Sequence, residues 1–358
     1  MLRRTFTHLL ASLSAAPRTA DIALITHAAG PHLNAYIEGL AKTPEAGKVW
    51  LCDPATESQV RKGLGNKLAG VYASPRELFQ ANKPHLAIIT MEAALAPPAI
   101  DAALNAGCHV MAEKPACVRA EDFAPLVTKA NARNLHLMLA FANRVDPVML
   151  EARRLVRSGV VGKIYGMEMH TIADQTRLTK PAYHHSWTAK KSRVGGGHLI
   201  WLGIHWLDVA AYITGSPITQ VAGFTGNVGG QPIDTEDSAA VALKFANGTF
   251  GTLTSGYYID RDKHMFIKVW GSDGWLEIHR DRPENPLEWS SYKQPGIQRM
   301  KPTPQGGYTP WVNHVVRAAL GMEPAVLTAN ESLHALRVVF AGYKAAETGR
   351  TQSIAAAK

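Results

Sequence analysis

The stretch IALITHAAGPHLNAYIEGLA, Ile22 to Ala41, decides the fold. IALITHA is a short apolar run with β-branched residues and reads as a strand. Gly30-Pro31 breaks it. Leu33 to Ala41 then reads as a helix. A buried strand that turns tightly into a helix opens a βαβ unit, and the next hundred residues repeat the theme. KVWLCD is a second strand, VRKGLGNK and SPRELFQA are helical, and HLAIIT is a strand. Pro98 to Ala106 is helical, HVMAEKP a strand, Ala120 to Arg133 a helix and LHLMLAF a strand. Short apolar strands alternating with helices predict a parallel, doubly wound sheet over 21–142.

After Asn143 the texture changes. A helix from Val148 to Ser158 leads to the strand KIYGMEMHTI and then to a polar loop holding Tyr183, His184, His185, Ser186 and Trp187. GGGHLIWLGIHWLD, Gly195 to Asp208, follows as a glycine-led helix. Several strands come next, with Asn247-Gly248 and Asp273-Gly274 as hairpin turns. Residues 281–311 read as a long Pro/Gly-rich excursion, and helices close the chain near 311–320 and 330–348. The fold class is therefore α/β: a Rossmann-like N-terminal domain over 21–142, then a C-terminal α/β domain over 143–358 with a mostly antiparallel open sheet.

The bulk numbers fit this plan. The chain has 358 residues, longer than one core usually supports. It is 46% hydrophobic and 19% charged, ordinary for a globular protein. The net charge of +9 is spread along the chain without an interleaved basic and aromatic tract, so no nucleic-acid partner is expected. No apolar run reaches the ~20 residues of a membrane span. Cys52, Cys108 and Cys117 have no metal-type spacing. Residues 1–20 carry Arg3-Arg4 and a short apolar stretch, the pattern of a twin-arginine signal. Export to the periplasm is the expectation, and a cytoplasmic protein with a basic tail the alternative.

Ligands of a doubly wound sheet sit at the C-terminal strand ends. A dinucleotide fingerprint there is GxGxxG, but those positions hold Thr26, Ala28 and Pro31, with Gly30 the one glycine nearby. The second strand ends at Asp53, whose carboxylate can accept from a ribose diol and repel a 2′-phosphate. That favours NAD over NADP. Asp53-Pro54 could equally just start a turn. Glu113 and Lys114 emerge at the end of a buried strand, where a lysine can reach a substrate hydroxyl or a nicotinamide ribose. On the glycine-led helix, a 100° step per residue puts His198, Trp201, His205 and Asp208 on one narrow face.

The order EKP (113–115), FANR (141–144), GGGHLIWLGIHWLD, TEDSAAVALKFANGTFGTL and VWGSDGWLEI resembles the Gfo/Idh/MocA oxidoreductase family across roughly 21–350. The resemblance implies a sugar or polyol dehydrogenase with NAD, and a homo-oligomer formed through the C-terminal sheet. It implies that Lys114 touches substrate and nicotinamide, that His205 is the acid/base, and that Asp53 holds the adenosine ribose. Asn143 and Arg144 would line the nicotinamide side, and Thr90 is the retained residue of the third-strand motif. Three departures stand out: the lost glycines, Met91-Glu92 in place of the usual Pro-Asn, and Trp201 where an aspartate precedes the histidine. Trp201 can still wall a sugar ring, with His184, His185 and His198 as neighbouring substrate contacts. No resident metal is expected. Alternative readings are a glycoside hydrolase or lyase, by transient oxidation or with a metal on those histidines, and a sugar-binding protein without catalysis.

The Asp53 reading yields the first prediction. Calorimetric titration should show NAD binding more tightly than NADP, with Asp53→Ala narrowing the gap. Equal affinities in the unaltered protein would overturn it.

Overall fold

In the computed structural model, residues 18–28, 30–304 and 306–355 are described. Arg3-Arg4 lies outside them. The first sheet has six parallel strands: β1 (Ala20–Thr26), β2 (Ala46–Cys52), β3 (Leu68–Tyr72), β4 (Leu86–Thr90), β5 (His109–Ala112) and β6 (Leu137–Leu139). Their order is β3-β2-β1-β4-β5-β6. Helices α1 (Leu33–Lys42), α2 (Glu57–Leu64), α3 (Pro75–Ala81), α4 (Ala96–Asn105) and α5 (Ala120–Ala132) connect them. β1 and β4 are buried almost throughout, as expected for central parallel strands covered on both faces. The strand order reverses between β1 and β4, so the crevice opens where the first loop and Thr90 meet. β3 was not anticipated: LAGVY is short and half-buried, and it reads as the link between two helices.

The second part begins with α6 (Pro147–Arg157) and β7 (Ile164–Asp174). Short helices α7 (Pro181–His184) and α8 (Lys191–Val194) lead to α9 (Ile204–Thr214). Strands β8 (Ile218–Gly226), β9 (Ser238–Phe245), β10 (Phe250–Ile259), β11 (Lys263–Gly271), β12 (Gly274–His279), β13 (Leu287–Ser291) and β14 (Gln294–Arg299) follow. Helices α10 (Tyr308–Ala319) and α11 (Ala329–Thr348) and the short β15 (Gln352–Ser353) end the described chain. The nine strands run β14-β13-β12-β11-β7-β10-β9-β8-β15, antiparallel except for β7 beside β10. β9 shows why one face is open: Val241, Leu243 and Phe245 are buried while Ala240, Ala242 and Lys244 alternate outward.

Two expectations are corrected here. The 281–311 excursion contains a hairpin, β13 with β14, whose polar outward residues hid its alternation. α10 and α11 also pack back toward the first sheet: Trp311 and Val312 are fully buried, Gly39 of α1 lies against Val312, and Leu139 N–H donates to Ser332 Oγ.

The glycine-led segment is held from its N-terminus. Glu236 accepts from the N–H groups of Gly197 and Leu199 and from Tyr343 Oη, the last two at 2.9 and 2.8 Å. These are the donors a helix start leaves without intrahelical partners. The glycines permit the approach. A Cβ on Gly197 would fall 1.8 Å from the Glu236 carbonyl oxygen, and one on Gly196 2.1 Å from Tyr343 Oη. Gly195 has φ +91°, a conformation suited to glycine. Gly197→Ala should therefore cost about 3 kcal/mol or more by backbone displacement. A denaturant midpoint equal to that of the unaltered protein would contradict this packing.

Candidate active site

Residues Leu199–Gly203 form a π-helical turn that runs into α9. The wider turn breaks the 100° phase on which the single narrow face depended. His198, Trp201, His205 and Asp208 therefore do not share one environment. His198 is fully buried; its Nδ1 lies 2.7 Å from Ser255 Oγ and its ring stands edge-on to Tyr257. Asp208 is buried against Arg144. Trp201 and His205 are only part-buried and remain at the cleft between the domains.

Lys114 meets them there. Its ammonium donates to the Trp201 carbonyl at 2.7 Å and lies 3.9 Å from the Trp201 ring centroid, a cation–π contact. Glu113 Oε1 is 3.9 Å away. Burial is the largest influence on Lys114 and pushes its pKa down to about 8; Glu113 opposes this and Arg177 adds to it. His205 rests edge-on against Phe141, and its Nδ1 is buried with no partner among the described residues. Burial first, then the charges of Lys114, His32 and Arg280, hold its imidazole well below the usual range. Burial takes His198 to about 3, aided by Arg177 and Lys114. Both rings are neutral at physiological pH.

A second layer was not foreseen from the sequence. His32, at the start of α1 with φ 59°, stacks near Trp201 with ring centroids 6.4 Å apart. Its Nδ1 is 2.8 Å from Tyr308 Oη and 3.3 Å from Glu113 Oε2. Tyr36 also donates to Glu113, and Tyr308 approaches it at 3.4 Å. Burial raises the Glu113 carboxyl, but His32, Lys114 and Tyr36 together bring its pKa below the ordinary value. Of this group the sequence marks only Glu113, through its strand-end position in the EKP motif. Tyr308 carried no signal, because nearly two hundred residues separate it from Glu113.

At the nucleotide end, Asp53 Oδ1 accepts from Ala55 N–H at 3.1 Å, while Oδ2 is buried with no hydrogen-bond partner among the described residues. That free oxygen suits a ribose hydroxyl, so the residues present fit an adenosine dinucleotide here. Gly30 packs so tightly that a Cβ would fall 2.2 Å from Thr26 Oγ1 and 2.6 Å from the Thr90 carbonyl. Thr90 Oγ1 donates to the Pro31 carbonyl and so braces the first loop rather than facing the crevice. Ala28 is exposed in that loop. Glu92 ties the domains together: its N–H donates to His27 Nε2 at 2.9 Å and its carboxylate pairs with Arg193.

The remaining expected residues divide. Asn143 lies part-buried in the turn Ala142–Val145. Arg144 beside it does not line the cleft. It is 2% exposed, with Nη2 2.7 Å from Asp208 Oδ1 and Nη1 2.7 Å from Glu331 Oε1. Arg144 and Asp208, two expected site residues, thus neutralise each other in the interior. His184 contacts the Leu178 carbonyl and His185 follows it after α7, both on the loop rather than beside His205. Among the described residues no group of three or more His, Cys, Asp and Glu side chains converges to hold a metal. No described helix is long and apolar enough to cross a membrane.

A Rossmann-type sheet joined to an open antiparallel sheet, with a lysine and a histidine converging between them, defines a two-domain protein of the dinucleotide-binding class. Residues 17–141 match the model of an oxidoreductase family with an NAD-binding Rossmann fold, and residues 149–277 match the Gfo/Idh/MocA C-terminal domain. The chain belongs to the Gfo/Idh/MocA oxidoreductase family. Levoglucosan dehydrogenase of Pseudarthrobacter phenanthrenivorans is 26% identical over 203 residues, 51% of this chain and 52% of that one. D-glucoside 3-dehydrogenase of Escherichia coli is 32% identical over 149 residues, 42% of this chain and 41% of that one. The chain spans about half the length of the curated relatives it matches. A solved levoglucosan dehydrogenase, in complex with NADH and levoglucosan, shares the fold with a TM-score of 0.83. That match covers 94% of this chain and 100% of the other at 17% identity.

Proposed function

We propose that the protein is an NAD-dependent dehydrogenase of a sugar, polyol or sugar derivative. The observation that carries this reading is the Lys114 ammonium, buried yet poised near pH 8 at the cleft that His205 also borders. The relatives that act on levoglucosan and D-glucosides by their names support the substrate class. Asp53 Oδ2 would hold the adenosine ribose, and the loop from His27 to His32 would face the rest of the nucleotide. When bound, NAD supplies the hydride acceptor.

The sequence resemblance assigns the base to His205. The burial of that ring favours another division of labour. An imidazole held far below its usual range is a weak base, whereas a lysine near 8 matches the pH at which it would work. In this proposal, Lys114 Nζ takes the proton of the substrate hydroxyl as the carbon–hydrogen bond breaks. Neutral His205 hydrogen-bonds and orients the same oxygen. Part-buried Trp201, with buried Trp187 edge-on to it at 5.7 Å between ring centroids, offers its indole to the apolar side of a sugar ring. Trp201 also holds the lysine through its carbonyl. The lyase reading with a histidine-held metal has no converging donor set among the described residues.

The sign of the pH dependence follows. Below about 8 Lys114 is an ammonium and cannot accept a proton; above it the amine is free. For oxidation, kcat/KM should rise about tenfold per pH unit up to about 8 and then level. Lys114→Ala should lower it by ~10²–10⁴-fold with the thermal midpoint within a few degrees. A flat profile between pH 6 and 9, with NAD bound normally, would sink the role of Lys114.

The proposal includes self-association through the open sheet face. Phe224, Phe250 and Trp270 are 80%, 62% and 37% exposed, and Phe250 and Trp270 both flank Gly166 across the strands. Such a patch is more than isolated surface residues. Light scattering should give a multiple of 38.8 kDa; a monomer would contradict it. Export through Arg3-Arg4 belongs to the same proposal. Fractionation of expressing cells tests it, and protein confined to the cytoplasm would overturn it.

A further inference from the structure

Outside the cleft, α6, α9 and α11 border a half-open pocket of about 390 Å³ whose lining includes Arg144, Arg153, Arg157, Tyr212 and His334. That volume suits a small metabolite. The charges in its wall are unevenly committed. Asp208 and Glu331, the carboxylates there, are both engaged by Arg144. Arg153 and Arg157 have no carboxylate partner among the described residues. The guanidinium of Arg153 rests 3.8 Å from the Tyr212 ring centroid, which fixes its plane without neutralising it. This is not a general property of α6, because Arg154 between them pairs with Glu151 at 2.7 Å. His334 adds an independent feature: its Nε2 is buried with no hydrogen-bond partner among the described residues, and burial lowers the ring's pKa. Arg153 is part-buried and Arg157 exposed, so both are open to a ligand, while the His334 nitrogen is costly to leave unsatisfied.

We propose that this pocket is a second ligand site, for a small hydroxylated metabolite bearing a phosphate or carboxylate group. Arg153 and Arg157 meet the anionic group, guanidinium forks being matched to both. The His334 ring, which borders the pocket, turns its Nε2 to a hydroxyl of the remainder. The site is separate from the substrate cleft: Lys114 and Trp201 do not line it. It shares a wall with the cleft's supporting structure, since Asp208 lies one helical turn beyond His205 on α9.

Calorimetry on the full chain tests this with three probes: D-glucose 6-phosphate for the phosphate group, D-gluconate for the carboxylate, and D-glucose as the neutral control. One or both anionic probes should bind more tightly than glucose. Arg153→Gln with Arg157→Gln should weaken that binding at least tenfold, and His334→Ala should weaken it by a smaller factor. Lys114→Ala should leave it unchanged. Which anionic probe binds distinguishes phosphate from carboxylate recognition. The proposal fails if neither anion binds more tightly than glucose. It also fails if binding survives the double glutamine change in a protein with unaltered thermal midpoint, or if Lys114→Ala removes it, which would place the anion in the substrate cleft.

Discussion

Glu236 closes on the N-terminus of the segment that carries Trp201 and His205, and the geometry of the cleft depends on that contact. Its carboxylate takes the backbone donors of Gly197 and Leu199, while its own carbonyl accepts from His198 N–H at 3.1 Å. The approach is possible because three successive glycines leave no side chain in the way. With the start of the segment fixed, the π turn over Leu199–Gly203 determines what each later side chain meets. π turns recur at functional sites because one widened turn re-aims several residues. His198, ahead of the turn, is held against the sheet at Ser255; the turn leaves Trp201 and His205 at the cleft and turns Asp208 toward Arg144.

Two groups of buried charge differ in how tightly they are paired. Arg144 with Asp208 and Glu331 is a bidentate, mutually satisfied cluster near the floor of the C-terminal domain. Glu113 with Lys114, His32, Tyr36 and Tyr308 sits where the domains meet. The first has its charges closely paired. The second leaves Lys114 with a carboxylate only at 3.9 Å and a π face at the same distance, so burial is incompletely offset and the pKa falls. Loose pairing of this kind produces a titrating group near neutrality, whereas tight pairing produces structure.

Trp201 explains how the cleft accommodates the loss of the family's aspartate. A carboxylate one turn before His205 would favour the imidazolium. The indole and carbonyl of Trp201 instead hold the ammonium of Lys114, and the histidine stays neutral. With no carboxylate beside it the histidine is not held charged, and the proposed base is the retained lysine. His32 supports the same wall from the first domain, in the loop whose glycine fingerprint is missing.

The amino-acid sequence by itself determined the class of fold, and it singled out Asp53 and Lys114, the two strand-end residues on which the proposed function rests. Both readings rest on local signals: apolar runs of strand length, the Gly30-Pro31 break, and charged residues directly after buried strands. It also marked the glycine-led segment as the helix to watch. It could not show that Glu236, some forty residues later, caps that segment, nor that a π turn interrupts it. Periodicity assumes a constant step, and the step is decided by what packs against the helix. For the same reason Arg144 and Asp208 looked like cleft residues until their mutual contact placed them inside. His32 and Tyr308 became legible only once α1 and α10 were brought together. The burial that sets Lys114 near 8 and His205 well below its usual range is a property of the packed interior, where low dielectric and fixed neighbours replace water, and no spacing along the chain encodes it.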